Sequence, residues 1–313
     1  MFTEFMYVAT ALWPIFFTFA LGFVLGKLLP APLVRLAGYG VLPVVWAILW
    51  VIGVKSGAVL SSLSESMNTL KMALLYGGGT SVAAFVVLWP LGKRFAPAKA
   101  QRSERRWQDL WHPVRECVVA FALVFAGAYC HRFGWEATPL GAQLLDISHW
   151  LYALLILIGI ELAHLRFQRA WVAPRILLIP ALVLASSLAT GAAISFFTGE
   201  KLTTALALSS GFGWFSLSGA LADQYLGGSY GGVAVVTDLI RELAAIAAVF
   251  LLGQRSAISS IGVGGATATS TTLPFVRQAY SYEFVPIAII SGLVLSLLAP
   301  LLMTFFMSLS AAV

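Results

Sequence analysis

The chain has 313 residues, of which 60% are hydrophobic and 10% charged, and its mean hydropathy is +0.91. A soluble domain carries about a quarter charged residues, so this composition excludes an ordinary water-soluble enzyme and a disordered chain. Because one membrane crossing takes about 20 apolar residues, the length leaves room for about eight to ten helices and no separate catalytic domain. We therefore expect an all-α integral membrane protein with a single domain over residues 1–313.

Continuous apolar runs follow one another along the chain, and each is near the length of one crossing. They predict about eight transmembrane helices. Two further stretches, 202–224 and 256–280, are apolar but interrupted by small and polar residues. The charge asymmetry favours entry and exit of the first stretch on the same side of the membrane. The alternative is a full crossing, which would give nine spans and move Arg255 and Arg277 to the outer side. The continuous runs cover residues 8–29, 39–54, 71–91, 115–131, 147–164, 176–197, 231–253 and 284–308.

The formal net charge is +6, and the positions of the basic residues predict the orientation. In the arrangement above, 14 of the 19 Lys and Arg residues lie in loops on one side of the membrane. Lys and Arg concentrate in cytoplasmic loops, so that side is expected to be cytoplasmic and both termini periplasmic. The basic surplus is then an orientation signal that also attracts anionic lipid, rather than a nucleic-acid site. The four basic loops are 27–38, 91–115, 165–175 and 254–282.

A weak internal repeat relates two parts of the N-terminal two thirds. Residues 44–55 (VVWAILWVIGVK) align with 150–161 (WLYALLILIGIE) at an offset of 106 positions. Each copy would contain three spans, an odd number, so the copies would be inverted, as in many secondary transporters. The predicted copies cover about 8–92 and 115–197. Lys55 and Glu161 become equivalent; they either pair near the symmetry axis or lie separately at the headgroup level.

Ionisable residues open the apolar stretch TDLIRELAAIAAVFLLG. Asp238 and Glu242 are four positions apart, so both carboxylates project from one helix face, with Arg241 beside them. Two acids and one arginine leave one negative charge in excess, which predicts a bound cation, a proton or a second basic residue. Acids in a first helical turn also complement the helix dipole, so part of this pattern is structural.

Two glycine-rich and hydroxyl-rich stretches flank this acidic helix within residues 202–280. They are SSGFGWFSLSG before it and GVGGATATSTTLPF after it, and both are too polar for lipid and too apolar for a loop. We expect re-entrant or unwound segments whose hydroxyl and carbonyl groups face inward. The alternative is close helix packing through small residues. The candidate binding residues here are Gly211, Gly213, Trp214, Ser216, Ser218, Thr267, Ser270 and Thr271.

With GFGWFSLSG, TDLIRELAAI, GGAT and TLPFV in this order, the chain resembles the bacterial lysine exporter LysO family. The resemblance is strongest over about 150–310. It implies an inner-membrane exporter of L-lysine and of its analogue thialysine, with about eight spans and both termini in the periplasm. The family motifs fall on Gly211, Phe212, Gly213, Trp214, Ser216, Ser218, Asp238, Arg241 and Glu242.

Other function classes lack their motifs in this sequence. No phosphate-binding G-x-x-x-x-G-K-[ST] loop is present, so transport must use a gradient. The histidines lack metal-ligand spacing, and Cys117 and Cys130 are expected to be small core residues. The resemblance thus implies a secondary exporter of L-lysine, and the excess carboxylate on the acidic helix predicts proton antiport. We expect no enzymatic activity and no metal or cofactor. The alternatives are export of another amino acid or amine and, less favoured, a channel or an intramembrane enzyme.

The expected partners follow from the same observations. They are L-lysine or a related small cationic amino acid, protons, membrane lipid and a second copy of the chain in a homodimer, with no nucleic acid. The expected location is the bacterial inner membrane, crossed several times.

Overall fold

The computed structural model describes residues 2–55, 57, 63–95, 111–133, 139–164, 173–252, 256–280 and 283–312. Within these residues the fold is all-α: one short 3₁₀ helix (Gly265–Thr269) accompanies the α-helices and no strand is present. In chain order the helices are α1 (Phe2–Leu28), α2 (Ala31–Lys55), α3 (Leu63–Phe95), α4 (Trp111–His131), α5 (Pro139–Leu144), α6 (Ile147–Leu162), α7 (Pro174–Thr198), α8 (Leu202–Leu208), α9 (Phe215–Leu226), α10 (Gly228–Leu252), α11 (Ala257–Gly264), α12 (Leu273–Ala279) and α13 (Phe284–Ala312).

Each predicted apolar run lies within one long helix, to within one or two residues at its ends. In the described part of the chain, four helical stretches are long and apolar enough to cross a membrane: Ala31–Lys55, Met67–Gly92, Pro174–Thr198 and Phe284–Ser310. Shorter apolar stretches occupy Leu12–Leu28, Val118–His131 and Ile147–Leu162. The all-helical membrane architecture is confirmed, and the count of about eight crossings stays a prediction.

Glycines bring the N-terminal helices together in two parallel pairs. In the first pair, Gly22 of α1 packs against the backbone of Ile156, and Gly159 of α6 packs against the backbone of Phe19. Because glycine has no Cβ, helix backbones can approach closely at such crossings.

The second pair joins α2 to α4 in the same way. Gly53 packs against the backbone of Val124, and Gly127 packs against the backbone of Trp50. Between the pairs, α2 and α6 run antiparallel, because Gly38 near the start of α2 lies beside Glu161 near the end of α6.

The contacts between helix ends define two faces of the molecule. His164 Nε2 lies 2.7 Å from the carbonyl oxygen of Gly26, so the ends of α1 and α6 lie together on what we call the Glu161 face. The basic stretches 27–38 and 165–175 begin at these two ends, which agrees with their predicted location on one side; residues 96–110 and 165–172 lie outside the described residues. The opposite side, where α2 ends, is the Lys55 face.

Helices α8 and α9 form a helical hairpin, called hairpin 1 (residues 202–226). Its two ends lie on the same face, because the Tyr230 hydroxyl, just after the hairpin, donates a 2.9 Å hydrogen bond to Glu200, just before it. Gly228 also packs against the backbone of Lys55, which places these ends at the Lys55 face. The predicted re-entry of this stretch agrees with this geometry.

Helices α11 and α12, joined by the 3₁₀ helix, form hairpin 2 (residues 257–279). It follows the end of α10, and the rings of Phe250 and Phe275 are 5.8 Å apart, so α12 returns beside the end of α10. Hairpin 2 therefore enters from the Glu161 face. Helix α10 lies between the two hairpins and packs against α3, α9 and α11.

Candidate functional site

The tips of the two hairpins meet inside the protein. The backbone N–H of Ala266 in hairpin 2 donates a 2.8 Å hydrogen bond to the carbonyl oxygen of Phe212 in hairpin 1. Phe212 is fully buried and Ala266 is 3% exposed. Non-helical backbone survives at membrane depth only where protein or water satisfies its polar groups, and here each tip contributes to satisfying the other.

The tip backbone adopts conformations that helices do not. Phe212 has φ +51°, Gly213 has φ +89° and Gly265 has φ +58°. A positive φ is uncommon for a residue with a side chain, so Phe212 is held there by its surroundings, including Arg241, whose guanidinium lies 5.6 Å from the centre of its ring. A Cβ atom at Gly265 would collide with the Phe212 carbonyl, which explains why a glycine stands there.

Asp238 lies in the middle of α10, next to the tip of hairpin 1, and is 2% exposed. Its Oδ1 accepts a 2.8 Å hydrogen bond from the backbone N–H of Gly213. A side chain at Gly211 would overlap the Asp238 carboxylate, so that glycine lets the acid reach the tip. Asp238 Oδ2 is buried and has no hydrogen bond of normal geometry among the described residues, while the Ser218 hydroxyl, which donates to the Trp214 carbonyl, also faces this carboxylate.

Arg241 is 1% exposed and binds the end of the first arm of hairpin 2. Its Nε donates to the carbonyl oxygen of Val263 at 3.0 Å, and its Nη2 lies 3.5 Å from that of Gly262. Its Nη1 donates to the hydroxyl of Ser187 on α7 at 3.1 Å. The guanidinium therefore uses three of its N–H donors within the protein.

Both charges match the ends of the half-helices they contact. Asp238 lies at the N-terminal end of α9, where free N–H groups leave a partial positive charge. Arg241 lies at the C-terminal end of α11, where free carbonyl groups leave a partial negative charge. The interpretation of these acids as first-turn residues is wrong, because α10 begins at Gly228 and Asp238 lies ten residues further along. The two charges instead lie at the ends of neighbouring half-helices.

The other predicted residues divide between this tip junction and its surroundings. Glu242, one helical turn beyond Asp238, is 3% exposed. Ser216 and Ser218 are buried in the first turns of α9, and the Ser218 hydroxyl donates to the carbonyl of Trp214, which is half-buried at the start of the helix.

In hairpin 2, Thr267 lies at the tip, where its hydroxyl donates to the carbonyl of Gly264 at 2.8 Å. Thr271 Oγ1 is buried without a hydrogen-bond partner among the described residues, while Ser270 is exposed. The structure thus brings Gly211, Gly213 and Thr267 to the junction with Asp238 and Arg241, and turns Ser270 away from the buried core.

A family model described as "Lysine exporter LysO" matches residues 121–307, which include both hairpins and α10. This chain belongs to the lysine exporter LysO family. The lysine exporter LysO of Escherichia coli (strain K12) is 35% identical over 191 residues, which are 60% of this chain and 61% of that protein. A putative lysine exporter of Haemophilus influenzae is 35% identical over 176 residues, 56% of this chain and 88% of that protein. No solved structure matches.

The chain therefore spans about three fifths of the length of its E. coli relative. Membership of the LysO family, together with several apolar helices, identifies a multi-pass membrane protein. The tip junction, Asp238 and Arg241 all lie inside the region that matches the LysO model, whereas α2 and Lys55 precede it.

The predicted pairing of Lys55 with Glu161 is not what the structure shows. Lys55 Nζ bonds to Asp223 Oδ2 of α9 at 2.6 Å. Since α2 and α6 run antiparallel and Glu161 lies beside Gly38, 17 residues of helix separate Glu161 from the level of Lys55, roughly 25 Å at 1.5 Å per residue. The two positions, which are equivalent in the sequence alignment, lie on opposite faces of the molecule.

Sequence reasoning missed two residues of this region. Asp223 is an acid inside the apolar stretch that follows the GFGW block, and its unpaired charge there was a signal for a basic partner. Ser187 on α7 gave no comparable signal, because a serine in a transmembrane helix usually bonds to its own backbone.

Proposed function

We propose that this protein exports L-lysine, or a related small cationic amino acid, across the bacterial inner membrane as a secondary active transporter. One observation carries the proposal: Asp238 is buried beside the tip of hairpin 1, and its Oδ2 has no hydrogen-bond partner among the described residues. A buried carboxylate with a free oxygen calls for a cation or a proton. Membership of a lysine exporter family supports an amino-acid ammonium as that cation.

Asp238 can hold the substrate ammonium or a proton, but not both well. Competition between them couples outward movement of the cation to inward movement of a proton, which is proton antiport. Glu242, buried one turn further along the same face, extends the acidic path toward the Glu161 face. Thialysine, which carries the same ammonium groups, is expected to follow the same route.

The carboxylate end of the substrate needs donors on the other side of the junction. The buried hydroxyl of Thr271 and that of Thr267 lie on hairpin 2, and Arg241 retains N–H groups beyond those bonded to Ser187, Val263 and Gly262. An amino acid placed between hairpin tips, with its ends on opposite half-helices, follows the general arrangement of transporter sites.

The orientation follows from the basic loops. If the Glu161 face is cytoplasmic, the Lys55 face and both termini are periplasmic. Hairpin 1 would then open toward the periplasm and hairpin 2 toward the cytoplasm. A homodimer stays a prediction.

We also infer the inverted repeat from the glycine crossings. Gly53 and Gly159 are 106 positions apart, which equals the offset of the sequence alignment, and Gly22 and Gly127 are 105 apart, one residue fewer. The α1–α6 crossing is formed by Gly22 and Gly159, and their equivalents, Gly127 and Gly53, form the crossing of α4 with α2. The pairs point in opposite directions, as a two-fold axis in the membrane plane requires.

Lysine efflux from proteoliposomes tests the proposal. With a more acidic exterior, the wild-type protein should release labelled L-lysine faster, and a protonophore should remove that acceleration. Asp238→Asn should lose gradient-driven efflux, since the neutral amide can neither bind an ammonium ion nor exchange a proton. Glu283→Gln is the control, because Glu283 is an exposed carboxylate just before α13.

Wild-type efflux by Asp238→Asn would overturn the assignment of this site. Counterflow with a panel of amino acids and amines separates lysine from the alternative substrates, and growth on thialysine tests the analogue. A flux that ignores the proton gradient and shows no counterflow would instead indicate a channel.

A further inference from the structure

A second carboxylate on hairpin 1 already holds an ammonium group. Asp223 lies near the end of α9, and its Oδ2 accepts a 2.6 Å hydrogen bond from Lys55 Nζ, the last residue of α2. The Lys55 side chain is 32% exposed, whereas the Asp223 side chain is fully buried. The acid is therefore fixed inside the protein, and its basic partner lies at the edge.

The contact with Lys55 leaves Asp223 incompletely satisfied. Asp223 Oδ1 is buried and accepts no hydrogen bond from the described residues, and the same holds for the neighbouring Gln224 Oε1. A carboxylate can accept about four hydrogen bonds, and one lysine at one oxygen supplies few of them. The Asp223 site can thus offer more acceptors to an ammonium ion than Lys55 uses.

Asp223 lies between the tip junction and the Lys55 face. On α9 it is ten residues from Gly213, the donor to Asp238, which corresponds to about 15 Å at 1.5 Å per residue. The Asp223 side chain also packs against Gly231 of α10, which lies seven residues before Asp238 on that helix. Among the described residues, Asp223 is therefore the next buried carboxylate from Asp238 toward the Lys55 face.

We infer that Asp223 is a second subsite for a primary ammonium group, and that Lys55 is a built-in competitor which occupies it when substrate is absent. The side chain of Lys55 carries the same alkylammonium group as free lysine, so the two compete for Asp223 with similar chemistry. This inference rests on the proposed function. On the exit side, the ammonium group of Lys55 binds Asp223 again once the substrate has left.

Because Lys55 is part of the same chain as Asp223, its competition with substrate suppresses re-entry more than exit. A group attached to the same chain competes at an effective concentration of about millimolar. Outside substrate below that level meets an Asp223 already occupied by Lys55, so re-entry is suppressed. Substrate arriving from Asp238 displaces Lys55 locally, and Lys55 can move because its side chain is partly exposed at the end of its helix.

The first test uses n-butylammonium, a probe that resembles the lysine side chain, on purified protein. In an Asp238→Asn background, which removes the first ammonium site, it should raise the thermal unfolding temperature of the Lys55→Ala variant, because it fills the vacated site beside Asp223. In the same background it should not stabilise the Lys55→Ala/Asp223→Asn variant, nor the variant that retains Lys55, where Lys55 occupies the site. Tetramethylammonium at equal ionic strength is the control, since it has no N–H donors. No stabilisation of Lys55→Ala, or equal stabilisation of the double variant, overturns the inference.

The second test asks whether free lysine uses the same site. In an Asp238→Asn background, which removes the first site, Lys55→Ala should bind labelled L-lysine about tenfold more tightly than the variant that retains Lys55. The added substitution Asp223→Asn should abolish that gain. If n-butylammonium stabilises Lys55→Ala but lysine shows no such gain, Asp223 serves only Lys55 and the inference fails while the proposed function stands. If the wild type binds no lysine but n-butylammonium still stabilises the variant with Lys55→Ala, the proposed function fails and the ammonium site at Asp223 stands.

Discussion

The carbonyl of Phe212 and the N–H of Ala266 join two hairpins that enter from opposite faces, through one 2.8 Å hydrogen bond. Each hairpin alone would leave non-helical backbone at membrane depth, where an unsatisfied polar group costs several kcal/mol. The two tips thus depend on each other, and the charges of Asp238 and Arg241 lie where the half-helix ends favour them. A binding site at this junction is rigid because its backbone is shared.

Gly265→Ala should disrupt the junction. The added methyl group would collide with the Phe212 carbonyl, and φ +58° disfavours any residue with a Cβ atom. We expect a loss of about 2–4 kcal/mol in stability, measured by thermal unfolding, and loss of lysine efflux. Gly78→Ala is the matched control, because a Cβ there meets nothing within 4 Å, and it should retain wild-type efflux. Wild-type stability of Gly265→Ala would contradict the packing of the two tips.

Arg241→Lys should be far from conservative. Lysine keeps the charge but cannot donate from one planar group to both Val263 and Ser187, so a buried charge loses partners. We expect a destabilisation of about 3–5 kcal/mol and little transport. Ser187→Ala removes a single acceptor and should cost about 1–3 kcal/mol. Equal thermal stability of these two variants would show that the forked geometry is unimportant.

The glycine crossings should respond as equivalent positions. A methyl group at Gly159 would lie 2.6 Å from the carbonyl oxygen of Phe19, and one at Gly53 would collide with that of Val124. Gly159→Ala and Gly53→Ala should therefore each destabilise the protein by about 1–3 kcal/mol or more in thermal unfolding. A large effect at one crossing with none at the other would argue against the inverted repeat.

Cysteine labelling can test the re-entrant path of hairpin 1. In a variant without the native cysteines, Lys201→Cys and Ser229→Cys flank the hairpin at exposed positions, and Arg277→Cys lies at the exposed end of hairpin 2. A membrane-impermeant maleimide added to intact cells should label positions 201 and 229 alike and leave 277 unlabelled until the membrane is opened. Labelling of 201 and 229 from opposite sides would mean that hairpin 1 crosses the membrane.

Composition and apolar run length were sufficient to predict the long helices, because burial in lipid imposes a strong and local pattern on the sequence. The interrupted stretches around α10 were also predictable, since glycines and hydroxyl groups at membrane depth need protein partners. The contact between Phe212 and Ala266 was not, because 54 residues separate them and no local pattern encodes which backbone groups will pair.

The Lys55 pairing shows a different limit. The sequence alignment made pairing with Glu161 one of two alternatives, but α2 ends at the Lys55 face and α6 ends at the Glu161 face. The true partner, Asp223, belongs to a hairpin outside both predicted copies. Two residues at equivalent positions, such as Lys55 and Glu161, are close together only if each lies near the symmetry axis, and the sequence does not give that distance.

The shared tip also constrains how the protein is made. Hairpin 1 leaves the ribosome before hairpin 2, so the Phe212 carbonyl must wait for 54 further residues before Ala266 is available. Neither half-helix at the tips, α8 with 7 residues or α11 with 8, is long enough to insert by itself. Insertion of the long helices must come first, and the hairpins then fold into the space between them, so substitutions at either tip should lower the yield of assembled protein before they alter its transport.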